Sequence, residues 1–215
     1  MNSISVNILV LVSGGGTNLQ ALIDAEKAGR FSGGTSGLSG KIVAVVSDRA
    51  GVYALERAKL AGIPAFVEAL EKTLTKPERR RDLSDRILKI CQEQDIGLII
   101  YAGFLSILTG ELIEAYAGKM INIHPSLLPK FGGQGMYGER VHQAVLASGE
   151  KESGCTVHIV DAGTDTGPIL IQRTVPVLAG DTADTLAERI HREEHIAIVD
   201  AAIMMVTNIL TGGKS

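Results

Sequence analysis

The chain has no tryptophan and only four phenylalanines and four tyrosines in 215 residues. That is too few aromatic faces for a platform on which successive nucleic-acid bases stack. Its two cysteines, Cys91 and Cys155, have neither metal-ligand spacing nor the density of a disulfide framework, and both fall in hydrophobically patterned segments that predict inert, buried thiols. No apolar run reaches the roughly 18 residues of a membrane span. Residues 4–12 are too short, and lack the basic lead, for a secretory signal, so cytoplasmic residence is the default expectation. An excess of one charge is missing as well. With 21 basic and 24 acidic residues the net charge is -3, which offers no field for nucleic acid or a membrane surface.

What is present is a hydrophobic fraction of 45% over 215 residues. That suffices for one good core and falls short of two full domains. Strand-like and helix-like patterns alternate along the chain. Residues 6–12, VNILVLV, form a nearly continuous apolar run, as expected of a strand buried on both faces. A helical pattern follows with Leu19, Leu22, Ile23 and Ala25, then a glycine- and serine-rich stretch at 33–40 that reads as a surface loop. Strands are predicted at 42–46, at Ala65–Val67, at Ile96–Tyr101 (the most hydrophobic, hence central) and at 120–123. Two more, at 155–160 and 169–175, suit the sheet edge. Helices are predicted at 51–61, from beyond the charged stretch 68–81 to about 94, at 109–116, at 138–147 and at 182–209. Together these predict one Rossmann-like α/β domain: a mostly parallel seven-stranded sheet, helices on both faces, and an antiparallel strand in the carboxyl-terminal half. The site should lie outside the carboxyl ends of the strands.

Ser13-Gly14-Gly15-Gly16-Thr17-Asn18 sits between the first strand and the first helix. Free amides at a helix start, with the helix dipole behind them, suit a phosphate, and the Thr17 hydroxyl and Asn18 amide add donors. No Lys-Ser/Thr pair follows, so this is not a P-loop, and Leu19 takes the place of the third glycine of a dinucleotide fingerprint. A tight turn capped by Ser13 or Thr17 is the plainer alternative.

The segment Asn122-Ile123-His124-Pro125 is more informative. Residues two apart on a strand project from one face, and Pro125 ends the strand rigidly. The Asn122 amide can donate to an oxygen that gains negative charge, and His124 can carry a proton near neutral pH. This pairing suits direct attack of a substrate amine on a carbonyl. Further on, Asp161-Ala162-Gly163-Thr164-Asp165-Thr166-Gly167-Pro168 has the composition of any turn. Asp165, held by Gly167 and Pro168, either is solvated or orients His124 and raises its pKa. His158, on a strand, reads as a packing or hydrogen-bonded structural residue. His142 and His195 fall on helices, and His191 is at most a supporting residue. No histidine trio has metal-ligand spacing.

Gly14-Gly15-Gly16-Thr17-Asn18-Leu19-Gln20, Ala102-Gly103-Phe104, the run Ile121-Asn122-Ile123-His124-Pro125-Ser126-Leu127-Leu128-Pro129 and the Asp165 loop occur in one order over nearly the whole chain. In this the sequence resembles the folate-dependent formyltransferase family. The Asn-x-His-Pro-Ser-Leu-Leu-Pro run is specific to that superfamily, which includes members acting on methionyl-tRNA, on sugar nucleotides and in formyl-tetrahydrofolate hydrolysis. Three features are similar to the branch acting on 5'-phosphoribosylglycinamide (GAR). The first loop ends in Gly-Thr-Asn-Leu-Gln, no regulatory domain precedes it, and little chain follows the last helix for a tRNA-binding domain.

The resemblance implies transfer of a formyl group from 10-formyltetrahydrofolate to the GAR amine by direct attack. It implies Asn122, His124 and Asp165 as the catalytic set, and Gly16, Thr17 and Asn18 as the phosphate cradle. Pro125 and Glu194 would meet the acceptor, with Glu194 at its amine. Gly103, Phe104, Leu105, Ser106, Ile107, Leu108 and Asp161 would line the folate site. Residues 1–102 would form a phosphate-binding half and 103–215 a folate-binding and catalytic half. The partners would be small molecules alone, GAR and the reduced folate, with no metal, in a monomer or weak homodimer. Ser106 stands where the family often has a basic residue, and residues 131–138 rewrite its usual aromatic-proline-glycine-leucine run. An acceptor of the amino sugar nucleotide type therefore stays open as the alternative.

Overall fold

A computed structural model describes residues 4–32 and 38–212. The chain runs β1 (Ile4–Val12), α1 (Thr17–Lys27), β2 (Leu38–Ser47), α2 (Tyr53–Leu60), β3 (Ala65–Val67), α3 (Lys76–Glu93), β4 (Ile96–Tyr101), α4 (Glu111–Ala115), β5 (Met120–His124), α5 (Glu139–Ser148), β6 (Glu152–Ile159), β7 (Ile169–Pro176) and α6 (Ala183–Leu210). The seven strands form one sheet in the order β3-β2-β1-β4-β5-β6-β7. β1 to β5 pair in parallel, and β6 lies antiparallel to both β5 and β7. β6 is thus the one reversed strand among the described residues. This is the predicted class, with Ile96–Tyr101 in the middle of the sheet.

The apolar run of β1 is explained by burial on both sides. Val6, Ile8, Val10 and Val12 join the core under α1, α2, α5 and α6, while Leu9 and Leu11 join the core under α3 and α4. α6, the longest helix at 28 residues, packs on α1, α5, β6 and β7, so the carboxyl-terminal part of the chain is built against its beginning. No described helix is long and apolar enough to cross a membrane. Both cysteines are buried and free, and burial pushes each thiol up to about 12, which leaves them protonated and unreactive.

Two boundaries differ most from the sequence prediction. The stretch 33–40 is not all loop: β2 already begins at Leu38, and buried Gly40 lies so close to Val206 that a Cβ there would sit 2.8 Å from its methyl. Glycine is there for close packing of α6, not for flexibility. Residues 33–37 of the stretch lie outside the described residues. α3 starts at Lys76, inside the charged stretch, because Thr75 and Glu78 form a capping box in which the Glu78 carboxylate accepts from the Thr75 backbone N–H at 2.8 Å. The signature Thr-x-x-Glu is in the sequence, hidden among charges that also suit a solvated helix face.

Strand order reverses beyond β3, where α3 carries the chain back to β4 on the other side of β1. Such a switch point opens a crevice at the carboxyl ends of the adjacent strands.

Candidate active site

A cavity of about 570 Å³ occupies that crevice, between the loops after β1, β4 and β5 and the start of α1. Every residue named above for catalysis, acceptor binding or folate binding lines it. The structure therefore brings together five segments far apart in sequence, at 16–18, 103–108, 122–125, 161–165 and Glu194.

At the end of β5, His124 is 4% exposed, and Asn122 is half-buried on the same face. Asp165 reaches both: its carboxylate oxygens lie 3.5 Å from Asn122 Nδ2 and 3.5 Å from His124 Nδ1. The loop holds Asp165 in place against a backbone preference. Its φ is 58°, in the left-handed region uncommon for a side-chain-bearing residue. The Gly133 amide donates to the carboxylate at 2.9 Å, and Gly167 packs so tightly on the Ile159 carbonyl that no Cβ would fit. The Phe131 carbonyl lies 2.8 Å from His124 Nε2. A carbonyl only accepts, so Nε2 carries a proton, and Nδ1 faces the carboxylate.

Charge balance here differs from the sequence expectation. Asp165 does pull the His124 pKa upward, but burial outweighs it and the net shift is downward. Burial would by itself raise the Asp165 carboxyl. The His158 ring close by, the neighbouring His124 and the Gly133 amide together overcome that and hold it below the ordinary aspartate range. Near neutral pH the pair is an ionised carboxylate beside a neutral imidazole.

The start of α1 settles the choice between a capped turn and an open one. Gly16 is the N-cap, at φ 74°, and no side chain caps the helix. Ser13 is engaged elsewhere, with its hydroxyl accepting from the Leu105 amide at 2.8 Å and its own amide donating to the Gly103 carbonyl at 3.1 Å. These bonds tie the loop after β1 to the loop after β4, and they leave the first helical amides directed at the cavity. The Asn18 side chain is not the free donor that its place in the sequence suggests. It donates to the Glu194 carboxylate at 3.3 Å, joining the glycine loop to α6. Glu194 is 5% exposed, and burial pushes its carboxyl up, against His191 and the Asn18 bond.

The residues expected to line a folate site divide. Phe104 and Leu108 are buried, and Leu105 is 42% exposed, so residues 104–108 present an apolar wall. The Ser106 hydroxyl donates to Asp48 at 2.6 Å. Asp161 lines the cavity, but its Oδ1 accepts from the Gly163 amide and the Thr166 hydroxyl at 2.9 and 2.7 Å, which shapes the loop that carries Asp165.

Three histidines have a larger part than the sequence indicated. His158 touches two of the residues expected to be catalytic, with Nε2 3.1 Å from Asn122 Nδ2 and 3.6 Å from Asp165. His142 and His191 line the cavity beside Glu194. Nothing local marks them. His158 becomes visible only once β6 is paired antiparallel to β5, which sets it opposite Asn122. No group of three or more His, Cys, Asp or Glu suited to a metal occurs among the described residues.

A profile of the formyl transferases matches residues 6–202. The trifunctional purine biosynthetic protein adenosine-3 of Drosophila melanogaster is 42% identical over 199 residues, which are 93% of this chain and 14% of that protein. The chain thus spans about a seventh of that relative. The phosphoribosylglycinamide formyltransferase of Escherichia coli is 38% identical over 193 residues, 88% of this chain and 82% of that one. Among solved structures, glycinamide ribonucleotide transformylase 1 from Symbiobacterium toebii superposes with a TM-score of 0.82 at 36% identity, covering 97% of this chain and 90% of that chain.

Proposed function

The chain belongs to the formyl transferase family, and from that premise we propose that it transfers the formyl group of 10-formyltetrahydrofolate to the amine of GAR, in purine biosynthesis. One observation carries the reading: a single cavity holds both an uncapped helix start and the Asn122–His124–Asp165 set. β4 alone separates β1 from β5, so the two sites lie roughly 10 Å apart, two inter-strand spacings. That suits one phosphoribosyl group bearing an amine.

In this reading the acceptor phosphate takes the amides of Gly16, Thr17 and Asn18. Pro125 packs beside the acceptor, and Glu194, held by Asn18, receives the amine N–H, which adds a second donor to the one this buried carboxylate has from Asn18. The wall of residues 103–108, Phe104 and Leu108 foremost, fits a flat ring. The folate bound there supplies an activated formyl carbon. Asn122 turns an N–H toward the formyl oxygen as negative charge grows on it. Its contact to Asp165 is at the limit of a hydrogen bond and is easily exchanged. Asp165, ionised at neutral pH, takes up the proton that the attacking amine loses, directly or through a water, and passes it to the folate nitrogen as the bond from that nitrogen to the formyl carbon breaks and tetrahydrofolate leaves. A proton on His124 Nδ1 gains that same carboxylate as its partner.

Residues 1–102 would supply the phosphate half and 103–215 the folate and catalytic half, with Glu194 reaching back into the first. The reading makes the chain a cytoplasmic enzyme of two small molecules, without a metal, acting as a monomer or weak homodimer. Purified protein incubated with 10-formyltetrahydrofolate and either GAR or an amino sugar nucleotide tests it by mass detection of the formylated product. Formyl-GAR is the expected product. Formylation of the sugar nucleotide alone, or of neither by folded protein, overturns the reading.

A further inference from the structure

The glycine loop before α1 is held from behind by α2, and that helix sets the direction of two of its peptide planes. The Ala54 amide donates to the Gly14 carbonyl at 3.1 Å, and Arg57 Nε donates to the Gly15 carbonyl at 2.8 Å. In a trans peptide the C=O and the following N–H point opposite ways. With both carbonyls drawn toward α2, the N–H groups of Gly15 and Gly16 turn away from it, toward the cavity that both residues line. The loop is also in tight contact with the helix: a Cβ on Gly16 would lie 2.7 Å from that of Ala54.

Arg57 is itself well fixed. Its Nη1 donates to Gln20 Oε1 at 3.0 Å, one turn into α1, and its guanidinium lies 4.8 Å from the centre of the Tyr53 ring. Both hydrogen-bond partners are neutral oxygens, so no carboxylate in this arrangement cancels its charge. A planar fork that bridges loop and helix while keeping a positive potential behind the amides is a geometry a lysine ammonium does not reproduce.

We propose that Arg57 is the positioning residue of the phosphate cradle. It aims the Gly15 and Gly16 amides and adds positive potential behind them, setting affinity for the acceptor's phosphate without touching the reacting atoms. The inference rests on the reading of this loop as the phosphate site, and the test separates the two.

The measurement is kcat and KM for GAR and for its dephosphorylated riboside, in the wild type, Arg57→Gln, Arg57→Lys and Tyr53→Leu. The wild type should favour GAR by about 100-fold or more in kcat/KM; no preference there would remove the cradle reading itself. With that preference present, Arg57→Gln should shrink it about tenfold through the KM for GAR, leaving kcat and the folate KM within about threefold. Arg57→Lys should recover part of the loss. Exposed Tyr53→Leu should show a smaller loss in the same direction, and it carries the test if Arg57→Gln does not fold. An unchanged preference in the variants, or an equal fall on both acceptors, overturns the role of Arg57 and leaves the cradle standing.

Discussion

Asn122 and His158 stand directly opposite one another across the β5–β6 ladder, with Asn122 Nδ2 3.1 Å from His158 Nε2. The Ile159 carbonyl, 2.9 Å from His158 Nδ1, requires a proton on that nitrogen, so in the neutral ring Nε2 is the acceptor. One N–H of Asn122 is tethered, and the other is left facing Asp165 and the cavity. The reversal of β6 therefore has a chemical consequence: it orients the amide that, in the proposed mechanism, meets a developing charge.

Asn122→Ala removes that donor. Loss of one oxyanion donor costs about 3 kcal/mol in the transition state, so kcat should fall by two to three decades. The KM for GAR should hold within about threefold, since the cradle stands at the end of another strand. Steady-state kinetics read both numbers, and undiminished turnover would remove Asn122 from the mechanism.

His158 acts through Asn122, so its replacement should depend on whether an acceptor remains. In His158→Leu the amide loses its tether and kcat should fall roughly tenfold, the worth of one net hydrogen bond. His158→Gln keeps a side-chain oxygen in reach and should recover most of the loss. Equal rates in the two variants would argue against orientation by hydrogen bonding.

The strand–helix alternation, the central strand and the same-face pair Asn122/His124 were legible because each leaves a short-range mark: a doubly buried strand prints an apolar run, and a two-residue period fixes a face. What escaped depends on contacts between distant residues. Gly40 belongs to a stretch of loop composition but packs beneath Val206 on α6. Asn18 looks like a free donor until α6 brings Glu194 to it. The direction of the His124 shift followed from Asp165 alone when read from sequence. In the fold, burial of the ring is the larger effect.

Gly15 and Gly16, in the loop proposed to hold the phosphate, should answer differently to substitution. Gly16, at φ 74° against Ala54, admits no side chain. Left-handed strain alone costs about 1–2 kcal/mol, and the overlap with Ala54 adds to it. Gly16→Ala should lower Tm by about 4 °C or more and cut kcat/KM for GAR. A Cβ on Gly15 would meet no atom within 4 Å, and its φ is not left-handed, so Gly15→Asn should leave Tm within about 1 °C. Thermal melts and GAR kinetics compare them, and equal sensitivity would refute the packing argument.

His142 gives a prediction whose sign follows from its burial. It is 3% exposed with no partner for Nδ1, and burial, then the nearby His191 and His124, hold its pKa at about 4 against an ordinary 6.5. In the unfolded chain the ring takes up its proton near 6.5, whereas in the folded chain it does so only near 4. Between those values the unfolded state binds more protons, so stability falls as pH drops from 6.5 to 4 and is level above that window. At about 1.36 kcal/mol per unit the loss is at most about 3 kcal/mol, reduced by whatever water the cavity mouth admits. His124 and His195 are shifted the same way, so the informative quantity is a difference. Denaturant midpoints at about pH 7.5 and about pH 4.5 should show the wild type losing about 1–2 kcal/mol more than His142→Gln. Identical acid losses would mean that His142 takes up its proton in the folded state as readily as in the unfolded one, and that its ring is not sealed in.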